Sequence, residues 1–114
     1  SIILFSTVAV TQGMPFHASI AASKGALEGL TKSLAAEFAG KIRVNCIAPT
    51  LTNTPLASGI LRNEDAIQRS NDRHPSKRIN SASDIASTAV FLLQNNNITG
   101  QIINVDGGMS TLKV

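Results

Sequence analysis

The chain alternates short runs of β-branched and other apolar residues with longer helical stretches. The short runs are Ser1–Ser6, Lys41–Ala48 and Gln101–Val105, and the helical stretches are Phe16–Ala39 and a shorter one that begins after Ser81. Strands that alternate with helices predict parallel βαβ units with right-handed crossovers. Because three strands make a small sheet for such units, the pattern predicts an α/β chain of three strands and two main helices that resembles half of a fold.

The longest predicted helix, Phe16–Ala39, carries two stripes of residues at helical spacing. The apolar stripe consists of Leu27, Leu30, Leu34 and Phe38. The stripe of small residues consists of Ala21, Gly25, Gly29, Ser33 and Ala36. Because a glycine inside a helix costs about 0.5–1 kcal/mol relative to alanine, we expect another backbone, from a sheet or a partner helix, to approach the small stripe. The alternative is that a long helix tolerates two glycines.

A polar and irregular segment, residues 56–80, follows the threonine-rich loop Pro49–Pro55. One or two helical turns are predicted in it, around Leu56–Leu61 and Glu64–Arg69. Long connections of this kind are often mobile lids over a site. We therefore interpret residues 56–80 as a lid-like segment, with a plain long connection as the alternative.

Two short motifs mark the ends of the last helix and the last strand. Ser81 and Asp84 fit a variant of the capping box, which predicts a helix start that runs to the asparagines Asn95–Asn97. Asp106–Gly108 follows the last strand, and two consecutive glycines there predict a turn with positive φ.

Composition limits the class of protein. The chain has 114 residues, of which 43% are hydrophobic and 15% charged, values that indicate one folded domain and exclude a disordered chain. There are four Phe, no Tyr and no Trp, so the core is aliphatic and no phenol is available for chemistry. The net charge of +3 comes from basic residues scattered from Lys24 to Lys113, whereas a nucleic-acid binder concentrates them on one face. We expect no nucleic-acid partner.

Cysteine usage and hydropathy bear on compartment and metals. Cys46 is the only cysteine, so an internal disulfide and a cysteine-based zinc site are excluded, and its β-branched neighbours indicate a small buried filler. No apolar run approaches the roughly 18 residues needed to cross a bilayer, and the first residues lack the positive charge of a secretory signal. We expect a cytoplasmic protein with no membrane partner and no metal.

Three segments together resemble the C-terminal half of the short-chain dehydrogenase/reductase family, and of its 3-oxoacyl-carrier-protein reductases in particular. They are Ala22–Thr50, Asp84–Gln94 and Ile98–Gly108, in the family's order and spacing. The resemblance implies a Rossmann-like doubly wound parallel sheet, with residues 1–114 as a single partial domain. It also implies NAD or NADP as cofactor and a small-molecule carbonyl or alcohol as substrate. The family's glycine-rich phosphate-binding turn is absent from these residues.

The family's catalytic motif is Tyr-x-x-x-Lys on the long helix, where four residues make about one turn and place both side chains on one face. The resemblance aligns Lys24 with the lysine, which lowers the tyrosine pKa and binds the nicotinamide ribose, and Ile20 with the tyrosine. Isoleucine has no exchangeable proton. The family's serine, thirteen positions earlier, aligns with Thr7, and a shift of one residue would select Ser6 instead. We therefore expect a weak or inactive oxidoreductase.

The resemblance also assigns a loop that contacts the nicotinamide carboxamide. Pro49 is retained, Thr50 stands where the family has glycine, and Thr54 matches a later threonine. If the glycine position needs positive φ or a close backbone approach, Thr50 costs on the order of 1 kcal/mol or more there. Asn45 matches the family's asparagine before this loop, and Arg78 resembles its lid arginine.

Two histidines are candidates to replace the missing phenol, because an imidazole can donate a proton at neutral pH. His17 lies seven residues before Lys24, roughly 10 Å along a helix axis, so we interpret it as an ordinary helix-start histidine. His74 lies in the lid-like segment, where we expect it to be solvated or on the substrate side, not catalytic.

Three functions stay open on this reading. The first is an NAD(P)-dependent oxidoreductase of which the chain is one piece, the second a non-catalytic relative that retains the fold for association or ligand binding, and the third an inert fragment. We expect a homo-oligomer that uses the long helix, 16–39, and the last helix and strand, 83–105, because uncovered strand edges and apolar faces favour association.

Overall fold

Three parallel strands form the centre of the computed structural model, which describes residues 1–114. In chain order the elements are β1 (Ile2–Phe5), α1 (Ala18–Glu37), β2 (Val44–Pro49), β3 (Thr52–Asn53), α2 (Glu64–Asp72), β4 (Asn80–Ser81), α3 (Ala82–Gln94) and β5 (Ile102–Val105). The main sheet has the order β1-β2-β5, with every pair parallel. The predicted α/β architecture is therefore confirmed, with α2 as a third helix.

The central strand β2 holds the core. Ile2 pairs with Val44 on one side of β2, and Cys46 pairs with Ile102 on the other. All five residues from 44 to 48 are buried, and burial raises the pKa of the Cys46 thiol. The prediction that Cys46 fills space in the core is confirmed.

Three of the four residues of the apolar stripe predicted for helix α1, namely Leu27, Leu34 and Phe38, are half-buried. The helix packs against β1 and β2, and its most buried residues are Thr31 and Ala35. Leu30, from the predicted stripe, is 43% exposed. The polar Thr31 is tolerated in the core because its hydroxyl donates to the carbonyl oxygen of Leu27 at 2.7 Å. The apolar stripe therefore marks the buried side of the helix except at Leu30.

The glycines of α1 do not meet another backbone within the chain. A Cβ built on Gly25 would lie 3.6 Å from the Val10 side chain, an ordinary contact, and one built on Gly29 would meet nothing within 4 Å. The prediction that the backbone of the chain's own sheet approaches the small stripe is therefore wrong at Gly25 and Gly29. A partner helix stays a prediction.

The ends of α1 and β2 differ from the sequence prediction by one to three residues. Helix α1 begins at Ala18 because Phe16 has a positive φ of 64°, which is incompatible with a right-handed helix. Strand β2 begins at Val44, because the chain turns through Gly40, with a φ of 77°. The predicted helix stop at Gly40 is confirmed.

The segment 56–80 is more ordered than its composition indicates. The helical turns predicted around Glu64–Arg69 are part of α2, and Asn63 caps that helix by accepting from the backbone N–H of Ala66 at 2.8 Å. Before it there is only a short 3-10 turn, Pro55–Ala57. The two-residue strands β3 and β4 pair in parallel across the segment, a pairing that the sequence did not predict.

Helix α3 is held at both ends by polar side chains. The predicted capping box is present: the backbone N–H of Ser81 donates to the Asp84 carboxylate at 2.7 Å, and the Ser81 hydroxyl accepts from the Asp84 backbone. At the other end the Arg43 guanidinium donates to the carbonyl oxygens of Leu92 and Leu93 at 2.7 and 2.9 Å. The helix satisfies the unpaired backbone groups at its ends in this way. None of the helices has the length and apolar character needed to cross a membrane.

Candidate functional site

A cavity of about 400 Å³ opens where the carboxyl ends of the three main strands meet. Thr7 follows β1, Thr50 follows β2, and Met109 follows β5. Its other polar or basic lining residues are His17, Ser70, Arg73 and His74, and its other apolar ones are Val8, Ala9, Met14, Leu51 and Ile60. In open α/β sheets, ligands bind in the crevice outside the carboxyl ends of the strands, so this cavity is the candidate site.

His74 is the buried polar centre of the cavity wall. Only 2% of the residue is exposed. The carbonyl oxygen of Ser70, 2.8 Å away, can only accept, so Nδ1 carries the proton and donates to it. In the neutral ring Nε2 is then an acceptor, and it lies 3.1 Å from the Thr50 hydroxyl. The expectation that His74 is solvated is wrong, because helix α2 carries it into the wall; its position on the cavity agrees with the substrate-side alternative.

The Thr50 hydroxyl stands between two acceptors. Besides His74 Nε2, the Met109 sulfur lies 3.6 Å from the Thr50 oxygen. The nitrogen is the stronger acceptor, so we place the hydroxyl proton on the His74 side. Thr50 has no positive φ, because Phe16 and Lys77 are the only residues other than glycine that do. The backbone strain considered for a threonine at this glycine position is therefore absent.

Asp106 orders the turn that follows β5. Its carboxylate accepts from the backbone N–H groups of Gly108 and Ser110, both at 2.9 Å, and from the Ser110 hydroxyl. Burial opposes ionisation of this carboxyl, but these hydrogen bonds outweigh it and lower the pKa of Asp106. Gly107 and Gly108 have φ of 60° and 88°, so the predicted turn is confirmed.

Lys24 contacts the end of β1 and not the cavity wall. Its ammonium donates to the carbonyl oxygen of Phe5 at 2.9 Å. One helical turn later, Glu28 accepts from the Ser6 hydroxyl at 2.5 Å. Ser6 is therefore occupied, and Thr7 is the hydroxyl that lines the cavity. This arrangement favours Thr7 over Ser6 as the residue equivalent to the family's serine.

Ile20 lies on α1 one turn before Lys24, as the spacing predicts, and it is 41% exposed. It is not among the residues that line the cavity. Nothing in the cavity wall is a phenol, since the chain has no tyrosine. The structure thus brings Thr7 and Thr50 together on one cavity and leaves Ile20 and Lys24 beside it.

The remaining residues of the predicted cofactor loop lie next to the cavity. Pro49 is the last residue of β2. Thr54 is half-buried and lines a groove that shares Thr50 with the main cavity. Thr50 and Thr54, from the loop after β2, therefore share one groove, whereas Lys24 on α1 contacts the end of β1.

Two positions singled out by resemblance have structural contacts in this chain. The Asn45 side chain donates to the carbonyl oxygen of Ile98 at 2.9 Å and accepts from the Gln101 backbone, which ties β2 to the start of β5. Arg78 forms a bidentate ion pair with Asp84, with N–O distances of 2.8 and 3.0 Å, and this pair raises the pKa of Arg78 and lowers that of Asp84.

No cluster of His, Cys, Asp and Glu could hold a metal ion.

Comparison of the sequence with known proteins finds similar reductases. The family profile described as enoyl-(acyl carrier protein) reductase matches residues 1–110. The 3-oxoacyl-(acyl-carrier-protein) reductase FabG of Chlamydia muridarum is 36% identical over 116 residues, which cover 96% of this chain and 45% of that protein. The chain spans about half the length of the curated relatives it matches.

The solved structures with a similar fold include dehydrogenases. The short-chain dehydrogenase/reductase described as glucose/ribitol dehydrogenase from Brucella melitensis superimposes with a TM-score of 0.87 at 32% identity, covering 96% of this chain and 45% of that one. A small-chain dehydrogenase in complex with NADPH gives a TM-score of 0.87 at 36% identity, over 95% of this chain and 50% of that one.

Proposed function

Because the chain belongs to the short-chain dehydrogenase/reductase family, we propose that it forms the substrate side of an NAD(P)-dependent oxidoreductase site for an alcohol and carbonyl pair. The cavity at the carboxyl ends of the strands supports this proposal, because Thr7 lines it and Lys24 lies at the end of β1. Residues 1–114 are then one part of a domain, with residues 56–80 as a lid over the cavity.

The residues present fit the nicotinamide end of the cofactor and not its phosphates. Lys24, Pro49, Thr50 and Thr54 would hold the ribose and carboxamide end, and the cofactor supplies or accepts the hydride when bound. None of the eight glycines forms a glycine-rich phosphate-binding motif. Within these residues the phosphates therefore have no recognisable site, and the Thr7 hydroxyl is left to orient a substrate carbonyl.

The proposed rate of carbonyl reduction depends on the identity of residue 20, which is isoleucine. Its alkyl side chain stands one helical turn before Lys24, where the family's proton donor belongs. A positioned general acid contributes about 10²–10⁴-fold to a rate, so we propose that this chain supports weak carbonyl reduction or none.

The same observation favours a second function, a non-catalytic relative that keeps the fold for association. Exposed apolar side chains on α3, Val90, Phe91 and Leu93 among them, support association through that helix, and we propose a homo-oligomer that also uses α1 and β5. The lone buried Cys46 supports a reducing compartment, and we propose the cytoplasm.

The experiment that tests the proposed function is a hybrid reductase. Residues 1–114 replace the matching part of the Chlamydia muridarum enzyme, which supplies the rest of the reductase. We expect Ile20→Tyr to raise kcat/KM for carbonyl reduction by about 10²–10⁴-fold over the parent hybrid, because Lys24 and Thr7 are retained.

The matched control is Ile20→Phe, which adds the ring without the hydroxyl and should leave the rate at that of the parent. Adding Lys24→Met to Ile20→Tyr should remove most of the gain. A folded hybrid that binds NADPH but gains nothing from Ile20→Tyr would show that the site lacks more than a proton donor, and the non-catalytic function would then stand.

A further inference from the structure

A second groove, of about 260 Å³, adjoins the main cavity. The two share three lining residues, Ile60, Ser70 and Arg73. The remaining lining residues of the groove are Gly59, Arg62, Ala66 and Arg69. A ligand that enters the main cavity can therefore extend past Ser70 into a groove bordered by three arginines.

Helix α2 builds this groove through its spacing. Ala66 and Ser70, one turn apart, are buried and turn the helix toward the chain. Arg69 and Arg73 are also one turn apart, on a face beside them, and Arg62 stands just before the helix. The small side chains at the buried positions leave the space that the guanidinium groups border.

The three guanidinium groups have no partner within the chain. The side-chain hydrogen bonds of arginine come from Arg43 and Arg78, and the one ion pair joins Arg78 to Asp84. Neither the groove nor the main cavity is lined by Asp or Glu. The carboxylates on α2, those of Glu64, Asp65 and Asp72, lie outside both linings. Like charges at this spacing repel each other, so the groove is arranged to receive an anion.

We propose that the groove binds the anionic end, a carboxylate, phosphate or sulfonate, of an elongated substrate whose carbonyl or hydroxyl end lies in the main cavity. Arginine suits this task because its planar fork binds such groups through two parallel hydrogen bonds. The apolar residues between the two ends, such as Leu51 and Ile60, accommodate an alkyl chain. The inference deepens the proposed function by naming its substrate class, and it rests on that function only for the chemistry at the carbonyl end.

The test compares two probes that differ only in charge at one end. 6-Oxoheptanoate carries a methyl ketone and a carboxylate, and 2-heptanone has a methyl group in place of the carboxylate. Calorimetric titration of the full chain should show binding about tenfold or more tighter for 6-oxoheptanoate, since a hydrogen bond to a charged group is among the strong ones. The double variant Arg62→Gln/Arg69→Gln, whose two positions line only the groove, should lose most of this preference and keep its affinity for 2-heptanone.

The matched control is Lys32→Gln, which removes one positive charge from the exposed face of α1, far along the chain from the groove. It should retain the preference, and circular dichroism should show both variants folded. Equal affinity for the two probes, no binding of either, or a preference that survives in the double variant would overturn the inference. Since the titration involves no cofactor and no turnover, a preference for 6-oxoheptanoate together with no gain in reductase activity from Ile20→Tyr in the hybrid would refute the proposed function alone.

Discussion

The Thr50 hydroxyl forms a hydrogen bond that a glycine at this position could not form. Where the resemblance expects a glycine, this chain places a side chain whose hydroxyl satisfies Nε2 of the buried His74. A buried acceptor left without its donor costs about 1–3 kcal/mol. We therefore expect Thr50→Val, which keeps the shape of the side chain, to lower the free energy of unfolding by that amount.

Urea denaturation of Thr50→Val beside Thr50→Ser measures this effect. The serine variant retains the hydroxyl and should lose less stability than the valine variant. Equal losses in the two variants would show that the methyl group, and not the hydrogen bond to His74, is what matters at this position.

The lowered pKa of Asp106 makes the free energy of unfolding depend on pH. Its hydrogen bonds lower its pKa in the folded chain, below the usual value of about 3.9. The stability that it contributes is therefore fully present above about pH 4 and is lost as the pH falls through the lower, folded pKa. We expect Asp106→Asn to be less stable at neutral pH and to lose less stability between about pH 5 and pH 2.

Thermal unfolding at a series of pH values measures both effects. The lowered pKa of Asp84 gives the variant and the parent the same residual dependence in this range. Parallel pH profiles for parent and variant would show that Asp106 is not responsible for the acid sensitivity.

At the scale of elements, helix α1 carries a glycine that the chain itself does not require. A Cβ on Gly29 meets nothing within 4 Å, so Gly29→Ala should raise the free energy of unfolding by about 0.5–1 kcal/mol through the better helix propensity of alanine. Gly107→Ala is the contrast, because Gly107 has a φ of 60° and its Cβ would contact the Ser76 side chain. It should lower the free energy of unfolding by more than about 1 kcal/mol.

Denaturant unfolding of both variants, followed by circular dichroism, tests the pair, and sedimentation adds a second readout. If Gly29→Ala stabilises the monomer but weakens self-association, a partner helix packs on the small stripe. A loss of stability in Gly29→Ala at high dilution would contradict the open space that the structure shows there.

The elements were predictable to different degrees, for reasons that lie in their length. The three main strands and the helices α1 and α3 have enough residues for composition and caps to specify them. Strands β3 and β4 have two residues each, too few for any periodicity, and they form only because the chain returns at Asn80 past the loop after β2. The apolar stripe of α1 did not include Thr31, a polar residue that is buried because its hydroxyl donates to a carbonyl oxygen within the helix.

At the scale of the whole molecule, the chain holds the cavity but no recognisable phosphate-binding turn. We expect that a fluorescence titration of the 114-residue chain with NADPH or NADH shows no measurable affinity, because the residues near the cavity fit only the nicotinamide end. The hybrid reductase is the positive control. Binding below millimolar concentration by the chain alone would mean that its own backbone amides hold the phosphates.

The amino-acid sequence by itself determined the order of strands and helices, the family, the positions of Ile20 and Lys24 on one helix face, and the missing phenol. These are properties of spacing and residue type, which local geometry converts directly into structure. Only the tertiary structure decided that His74 is buried against Thr50, that Thr7 and not Ser6 faces the cavity, and that unpaired arginines border a groove. These features depend on contacts between segments that are far apart in the sequence. Local sequence patterns do not specify such contacts.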